Sequence, residues 1–308
     1  MSLAGKVAIV TGSGRGLGLA YARELARRGA SVVVNDVDAE VTTAAVEAIQ
    51  AAGGRAVAVV APVGPTETAK ALVSTAVEHF GRLDILVTNA GVLRDTVLWK
   101  MSDDDFDTVV NVHLRGTFTT VREAAQHMRQ AGEGGRIICI GSPTGQRGNF
   151  GQTNYAAAKA GIVGMVRTWA LELKRAGITA NAVVPVAATA MTATVPYFAA
   201  AVRADANGEP MPTFFRQELG FGTADDVAGL IAFLGSDAAA SVTGQVIGVG
   251  GDRIQIWTHP EPALSAHREG GWTYEALEEA WPTTFAGATQ SVGEHFPELP
   301  EEFKPATD

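Results

Sequence analysis

Val7-Ala8-Ile9-Val10-Thr11-Gly12-Ser13-Gly14-Arg15-Gly16-Leu17-Gly18-Leu19-Ala20-Tyr21-Ala22-Arg23-Glu24-Leu25-Ala26 is the stretch that decides the fold. Its apolar opening reads as a buried strand, its glycine-rich middle as a turn and its close as a helix. Strand, glycine turn and helix in immediate succession is the context that a dinucleotide-binding fingerprint requires. Glycines let the backbone approach a pyrophosphate, and the helix N-terminus offers free N–H groups and a partial positive charge. Gly12, Gly16 and Gly18, with Arg15 and Leu17 between them, form the candidate cradle.

Outward from this turn, short apolar runs alternate with helical patterns. Strands are expected at 6–11, 31–36, 56–61, 83–88, 135–141, 178–184 and 245–249, and helices near 16–28, 39–52, 66–80, 103–130, 153–176 and 224–235. That alternation implies a Rossmann-type, doubly wound α/β fold with seven parallel strands and helices on both faces. Ser102-Asp103-Asp104-Asp105 reads as a capping box. One catalytic domain is expected over 1–251, with 187–222 inserted in its last crossover as a substrate loop rich in proline and aromatics. Residues 252–308 form a C-terminal extension with three of the five tryptophans, too aromatic for a disordered tail. Residues 273–281 within it read as a short acidic helix.

Asp36 closes the second strand, 18 residues after Gly18 and near the roughly 20 expected of a ribose-binding carboxylate. Such a carboxylate accepts from the adenosine ribose hydroxyls and repels a 2′-phosphate, so NAD is favoured over NADP. Arg15 is the contrary signal, because a guanidinium in this loop can contact a 2′-phosphate.

Tyr155 and Lys159 stand four residues apart in Gln152-Thr153-Asn154-Tyr155-Ala156-Ala157-Ala158-Lys159, which puts both on one helix face. A free phenol is too weak an acid to exchange protons readily at neutral pH. Lowering its pKa by ~3 units takes roughly 4 kcal/mol of differential stabilisation, which an adjacent ammonium can supply. Ser142 ends a strand 13 residues before Tyr155, and Asn111 lies in a helical segment upstream.

These motifs together resemble the short-chain dehydrogenase/reductase family: Thr11-Gly12-x-x-x-Gly16-x-Gly18, Asn89-Ala90-Gly91, Asn111, Ser142, and Tyr155 with Lys159. Gly148-Asn149-Phe150-Gly151-Gln152-Thr153-Asn154-Tyr155 and Val112-His113-Leu114-Arg115-Gly116-Thr117-Phe118 are most similar to its (3R)-hydroxyacyl-CoA dehydrogenase members, found as part of peroxisomal multifunctional enzymes. The resemblance runs from residue 1 to about 250 and only loosely into the tail.

It implies hydride transfer between NAD and a secondary alcohol, with a (3R)-hydroxyacyl-CoA or related thioester as substrate. A 3-oxoacyl thioester reductase using NADPH, a sterol or terpenoid alcohol dehydrogenase and a catalytically silent dinucleotide-binding regulator are the alternatives. Tyr155 is then the general acid/base and Ser142 the donor to the substrate oxygen. Lys159 lowers the tyrosine pKa and binds the nicotinamide ribose. Asn111 positions a water that links Lys159 to solvent. Asn89, Ala90 and Gly91 line the adenine and ribose side, and Pro185 and Thr189 the nicotinamide side. Most relatives carry Asp where Pro62 stands, which leaves the Val63 amide to meet the adenine. Gln152 and Asn154 are candidates to face substrate, whereas His113 reads as a helix-buried imidazole with a backbone partner. A homodimer or homotetramer is implied.

Composition excludes several other classes. A net charge of −9 argues against nucleic acid or an anionic membrane surface as partner. The single cysteine, Cys139, lies in an apolar strand and has no partner for an internal disulfide. His79, His127, His259, His267 and His295 show no metal-ligand spacing, so no metal is expected. No apolar run approaches the ~18 residues of a membrane span. Ala306-Thr307-Asp308 is not a Ser-Lys-Leu type address, and the cytoplasm is the expected compartment.

Overall fold

The computed structural model describes residues 2–189, 192 and 195–304. Ala190 and Met191 of the substrate-loop sequence and the terminal Ala306-Thr307-Asp308 lie outside the described residues. The first half runs β1 (Val7–Thr11), α1 (Gly16–Arg27), β2 (Ser31–Asp36), α2 (Ala39–Ala51), β3 (Arg55–Val60), α3 (Thr66–Phe80) and β4 (Ile85–Thr88). After it come α4 (Asp103–Val110), a π-helical turn (Asn111–Arg115), α5 (Gly116–Ala131), β5 (Gly135–Ile140), α6 (Thr144–Arg147), α7 (Thr153–Glu172) and β6 (Ile178–Pro185). The substrate loop carries α8 (Ala199–Ala206) and α9 (Thr213–Gln217), and α10 (Ala224–Leu234), β7 (Val246–Gly250), β8 (Arg253–Trp257) and α11 (Tyr274–Ala280) complete the chain.

Strand order is β3-β2-β1-β4-β5-β6-β7-β8. β1 is buried at every position and pairs in parallel with both β2 and β4, Val10 facing Val34 on one side and Val87 on the other. Burial on both faces is why these strands read as continuous apolar runs with no alternation. One apolar layer joins β1 and β2 to α1, α2 and α10, and the other joins the sheet to α3, α5 and α7. The order reverses between β2 and β4 around β1, so a crevice opens at the carboxyl ends of β1 and β4.

The sheet has eight strands where the sequence suggested seven. β8 folds back antiparallel on β7 through the tight turn at Gly251, whose φ of +51° is left-handed. It is a five-residue edge strand with Ile254 and Ile256 exposed, so it lacks the buried-run signature of the others. Arg253 holds it in place by donating to the Glu218 and Leu219 carbonyls. The sheet therefore continues past residue 251 into the extension.

The expected helix over 103–130 is divided by its π turn. The capping box at its start forms as read, Ser102 accepting from the Asp105 amide and Asp105 returning to the Ser102 amide. Among the described residues no helix is long and apolar enough to cross a membrane.

Candidate active site

The glycine turn is built by close backbone approach. Gly12 and Gly16 sit at positive φ, and a Cβ on Gly18 would run into the Gly12 carbonyl. Asn89 fixes the turn from β4, its Nδ2 donating to the Thr11 and Gly12 carbonyls at 3.1 and 2.9 Å. Thr11 Oγ1 in return accepts from the Asn89 and Ala90 amides. Asn89 and Ala90 thus brace the cradle from behind. α1 begins without a side-chain cap and with no acidic residue in its first turn, so its N–H groups face the crevice unpartnered by side chains. That is the donor set a pyrophosphate needs.

Asp36 reaches the same turn, its Oδ2 accepting from the Gly14 amide at 3.2 Å and its Oδ1 from the Val37 amide at 2.8 Å. Arg15 is exposed and makes no side-chain hydrogen bond among the described residues. Val63 lies against Gly116, where a Cβ would press on its side chain. Pro185 ends β6 beside Val249, and the Thr189 amide donates to Thr192 Oγ1 at 2.8 Å.

Beyond the ends of β4 and β5 a second group assembles. Ser142 comes just after β5 and is buried, its hydroxyl accepts from the Thr144 amide at 3.2 Å, and it acts on the Tyr155 phenol as its neighbour. Lys159, one turn on from Tyr155 in α7, is buried, with Nζ 5.5 Å from the tyrosine ring centre. Nζ donates to the Ile140 carbonyl at 2.7 Å. Burial pulls the Lys159 pKa down from 10.5 to about 7, with only the neighbouring Cys139 thiol acting the other way. Burial also holds the Tyr155 phenol above its ordinary range, against the pull of the neighbouring Ser142 hydroxyl, and the Asp95 carboxylate adds to the rise. In the cofactor-free protein the phenol is therefore the protonated partner at neutral pH, and a lowered tyrosine pKa is not a property of this state. α6 packs tightly on this end of α7, since a Cβ on Gly145 would come within 2.7 Å of the Lys159 backbone.

The structure does not bring Asn111 to this group. It is exposed, and its carbonyl receives the Gly116 amide of the π turn. The residue of that turn that reaches the site is His113, buried and edge-on to Tyr155 with ring centres 5.1 Å apart. Its Nε2 lies 2.8 Å from the Val92 carbonyl and 3.0 Å from the Val92 amide, the backbone partner that the sequence suggested. Its Nδ1 is buried without a protein partner. Burial first, and then the Lys159 charge, pull its pKa down to about 3, so the imidazole is neutral. Gly91 makes room for it, because a Cβ there would enter the His113 ring. A π turn inserts one residue into helical register. Asn111 came from the resemblance alone, and the signal in the sequence for its neighbour was the polar ring inside apolar Val112-His113-Leu114.

Gln152 sits at the rim, its Nε2 donating to Asp95 at 2.7 Å and its Oε1 accepting from Thr144 and Asn149. Asp95 and Thr144 join the site through these bonds, and neither was singled out from sequence. Asn154 does not face substrate. It is fully buried, donates to the Arg94 and Asp105 carbonyls and accepts from the Tyr155 amide, which seats the start of α7. Cys139 is a buried thiol whose pKa is pushed up to about 12, chiefly by burial, which leaves it unreactive.

The arrangement offers two adjacent hydroxyls, from Ser142 and Tyr155, next to a buried amine and beside an anion-binding helix terminus. It suits proton exchange with an oxygen atom next to a bound dinucleotide.

Known proteins are similar to this chain. The family profile for short chain dehydrogenases matches residues 6–197. The hydroxyacyl-CoA dehydrogenase ChsB1 of Mycobacterium tuberculosis is 42% identical over 298 residues, 92% of this chain and 90% of that protein. The 3-oxoacyl-[acyl-carrier-protein] reductase FabG of Thermotoga maritima is 38% identical over 256 residues, 82% of this chain and 100% of that protein. Among solved structures, a short chain dehydrogenase from Mycobacterium avium superposes with a TM-score of 0.81 at 35% identity, over 95% of this chain and 98% of that one.

Proposed function

The chain belongs to the short-chain dehydrogenase family, and from that premise we propose that it transfers a hydride between NAD and the carbinol carbon of a (3R)-hydroxyacyl-CoA or related thioester. That it is an oxidoreductase of alcohols and ketones using a nicotinamide dinucleotide follows from the family. The observation that carries the reading of the site is the grouping of the buried Ser142 hydroxyl, the Tyr155 phenol and buried Lys159, whose Nζ lies 5.5 Å from the tyrosine ring centre, beyond the ends of β4 and β5.

The residues fit the cofactor. The uncapped start of α1, with Gly12, Gly16, Leu17 and Gly18, accepts the pyrophosphate, and Arg15 stands at its edge. Asp36 meets the adenosine ribose and disfavours a 2′-phosphate, which supports NAD over NADP. Val63, Asn89, Ala90 and Gly91 line the adenine side, and Pro185 and Thr189 the nicotinamide side. When bound, NAD supplies the hydride acceptor.

The protein manages the proton. Ser142 donates to the substrate oxygen, where negative charge grows during reduction. Tyr155, held protonated by burial, gives its proton to the same oxygen, and in oxidation the phenolate recovers it. Lys159 is poised near neutrality and exchanges its own proton in the working pH range, so its charge can support the phenolate when that forms. His113 holds the Val92 backbone through Nε2 and packs edge-on to Tyr155, its buried Nδ1 without a partner among the described residues. Homo-oligomerisation belongs to the same reading, since Phe118 of α5 and Trp169 of α7 share an open groove and Leu171 is exposed beside it.

A second reading, a 3-oxoacyl thioester reductase using NADPH, is favoured by the exposed Arg15 and by the likeness to FabG. The test follows reduced nicotinamide absorbance with NAD and NADP against (3R)-hydroxyacyl-CoA, 3-oxoacyl thioester, sterol and simple secondary alcohol substrates. NAD-dependent oxidation of the hydroxyacyl-CoA that is lost in Tyr155→Phe is the expected result. Turnover with NADP alone, or with sterols and no thioester, overturns it.

A further inference from the structure

The tail after α11 is tied to the domain at two places. It is tied on one side to α6, which begins two residues after Ser142. The Gly293 amide donates to the Arg147 carbonyl at 2.8 Å, Arg147 Nε donates to the Gly293 carbonyl at 2.8 Å, and Arg147 Nη2 donates to the Ser291 carbonyl at 3.2 Å. On the other side it is tied to the substrate loop. Tyr197 Oη donates to the Pro297 carbonyl at 2.7 Å, and Phe296 stacks on Tyr197 with centres 5.0 Å apart and meets Phe198 edge-on. Leu299 and Phe303 then enter the apolar cluster of Phe198, Phe215 and Phe221.

α6 follows β5 and the loop follows β6, and these strands are neighbours. A segment anchored to both must pass over the carboxyl ends of the strands, where ligands of open α/β sheets bind. Exposed apolar side chains lie close in sequence to the tie at Arg147 and to the segment hydrogen-bonded at Gly151. Phe150 is 83% exposed, three residues after Arg147, and Gly151 accepts from the amide of Thr96, close in sequence to exposed Leu98 and Trp99. Val292 of the tail is itself 82% exposed.

We propose that residues 291–303 form the outer wall of the substrate cavity, and that Arg147 is the positioning residue that ties this wall to the catalytic side. The wall selects substrates with a bulky apolar portion beyond the reacting carbon. This rests on the proposed dehydrogenase reading for the chemistry, but the wall and its tie are separate physical claims. With the tail bound at both ends, the substrate loop is held in one place before substrate arrives, and the ordering entropy is not taken from binding. Small substrates need no wall, so the tie acts on selectivity.

The test compares the holoenzyme with Arg147→Met, which keeps the aliphatic stem and removes the donors, and with Phe296→Ala, which loosens the other end. Two quantities are read: amide hydrogen exchange over 289–303 and 195–206, and the ratio of kcat/KM for a large apolar substrate to that for the smallest one turned over. Faster exchange in both segments and a fall of about tenfold in the ratio are expected, the scale of one lost apolar contact in a pocket. Faster exchange with an unchanged ratio shows that the tail only packs, and overturns the wall. Unchanged exchange in Arg147→Met overturns the tie. If the wild type oxidises no thioester, the functional reading fails by itself, and the ratio is then taken across secondary alcohols of increasing size. Should Arg147→Met not fold, Tyr197→Phe, which removes one hydroxyl, reads the same two quantities.

Discussion

Replacing Lys159 by methionine should make the cofactor-free protein more stable at neutral pH while it abolishes turnover. The lysine is buried against a neutral carbonyl, with no carboxylate among the groups that shift it. Its pKa falls from 10.5 to about 7, a difference of roughly 5 kcal/mol between the protonation states. A folded pKa below the unfolded one means that the unfolded chain binds more protons between these two values. Stability therefore rises with pH through that window, by roughly 2 kcal/mol from pH 7 to pH 9. Methionine fills similar volume and carries no charge, but it leaves the Ile140 carbonyl without its donor, at a cost of ~1–3 kcal/mol. The variant should be more stable than the wild type by roughly 2 kcal/mol at pH 7, and this advantage should close by about pH 9. Cys139, whose folded pKa is raised to about 12, works in the opposite sense above pH 9 and is common to both proteins. Urea midpoints at several pH values, at one fixed protein concentration and without cofactor, measure the difference. A gap between wild type and Lys159→Met that stays constant or widens from pH 7 to 9 refutes the uncompensated buried lysine. A stabilised but inactive variant would show directly that this site carries strain for the sake of proton transfer.

Asp36→Ala should lower the ratio of kcat/KM with NAD to that with NADP by about tenfold or more, since the carboxylate facing the Gly14 amide is lost and Arg15 remains; initial rates with both cofactors check it. Gly91→Ala drives a methyl into the His113 ring and should cost ~1–3 kcal/mol, read as a lowered urea midpoint. His113→Phe strips the Val92 backbone of its partner and should lower kcat. Because the folded imidazole pKa is pulled from 6.5 to about 3, the wild type should lose more stability than the variant as pH falls through that interval, carboxylates such as Glu24 and Asp226 contributing equally to both, and acid titration of the two proteins checks the difference.

What the sequence disclosed and what it hid divide along the range of the interactions. The glycine turn was legible because strand, turn and helix are adjacent in the chain, and each residue's task there, from the close approach of Gly18 on Gly12 to the carboxylate of Asp36, is set within a few tens of residues. Tyr155, Lys159 and Ser142 were legible for a related reason. Two share a helix face, and the third ends the strand before it. Asn111 was carried over by resemblance, and the π turn at 111–115 instead puts His113 edge-on to Tyr155 and leaves Asn111 exposed. β8 and the tail failed for want of local pattern, since their partners stand far away, as in the bond from Tyr197 to Pro297 across 100 residues. The cofactor half of the site is written in local chemistry, whereas the substrate half is assembled from segments joined only in the folded chain. A dehydrogenase of this kind can therefore change its substrate by altering the tail and loop while β1, the glycine turn and α7 stay as they are. That is why the reaction class was readable from the residues and the substrate has to be found at Arg147, Tyr197 and the wall they hold.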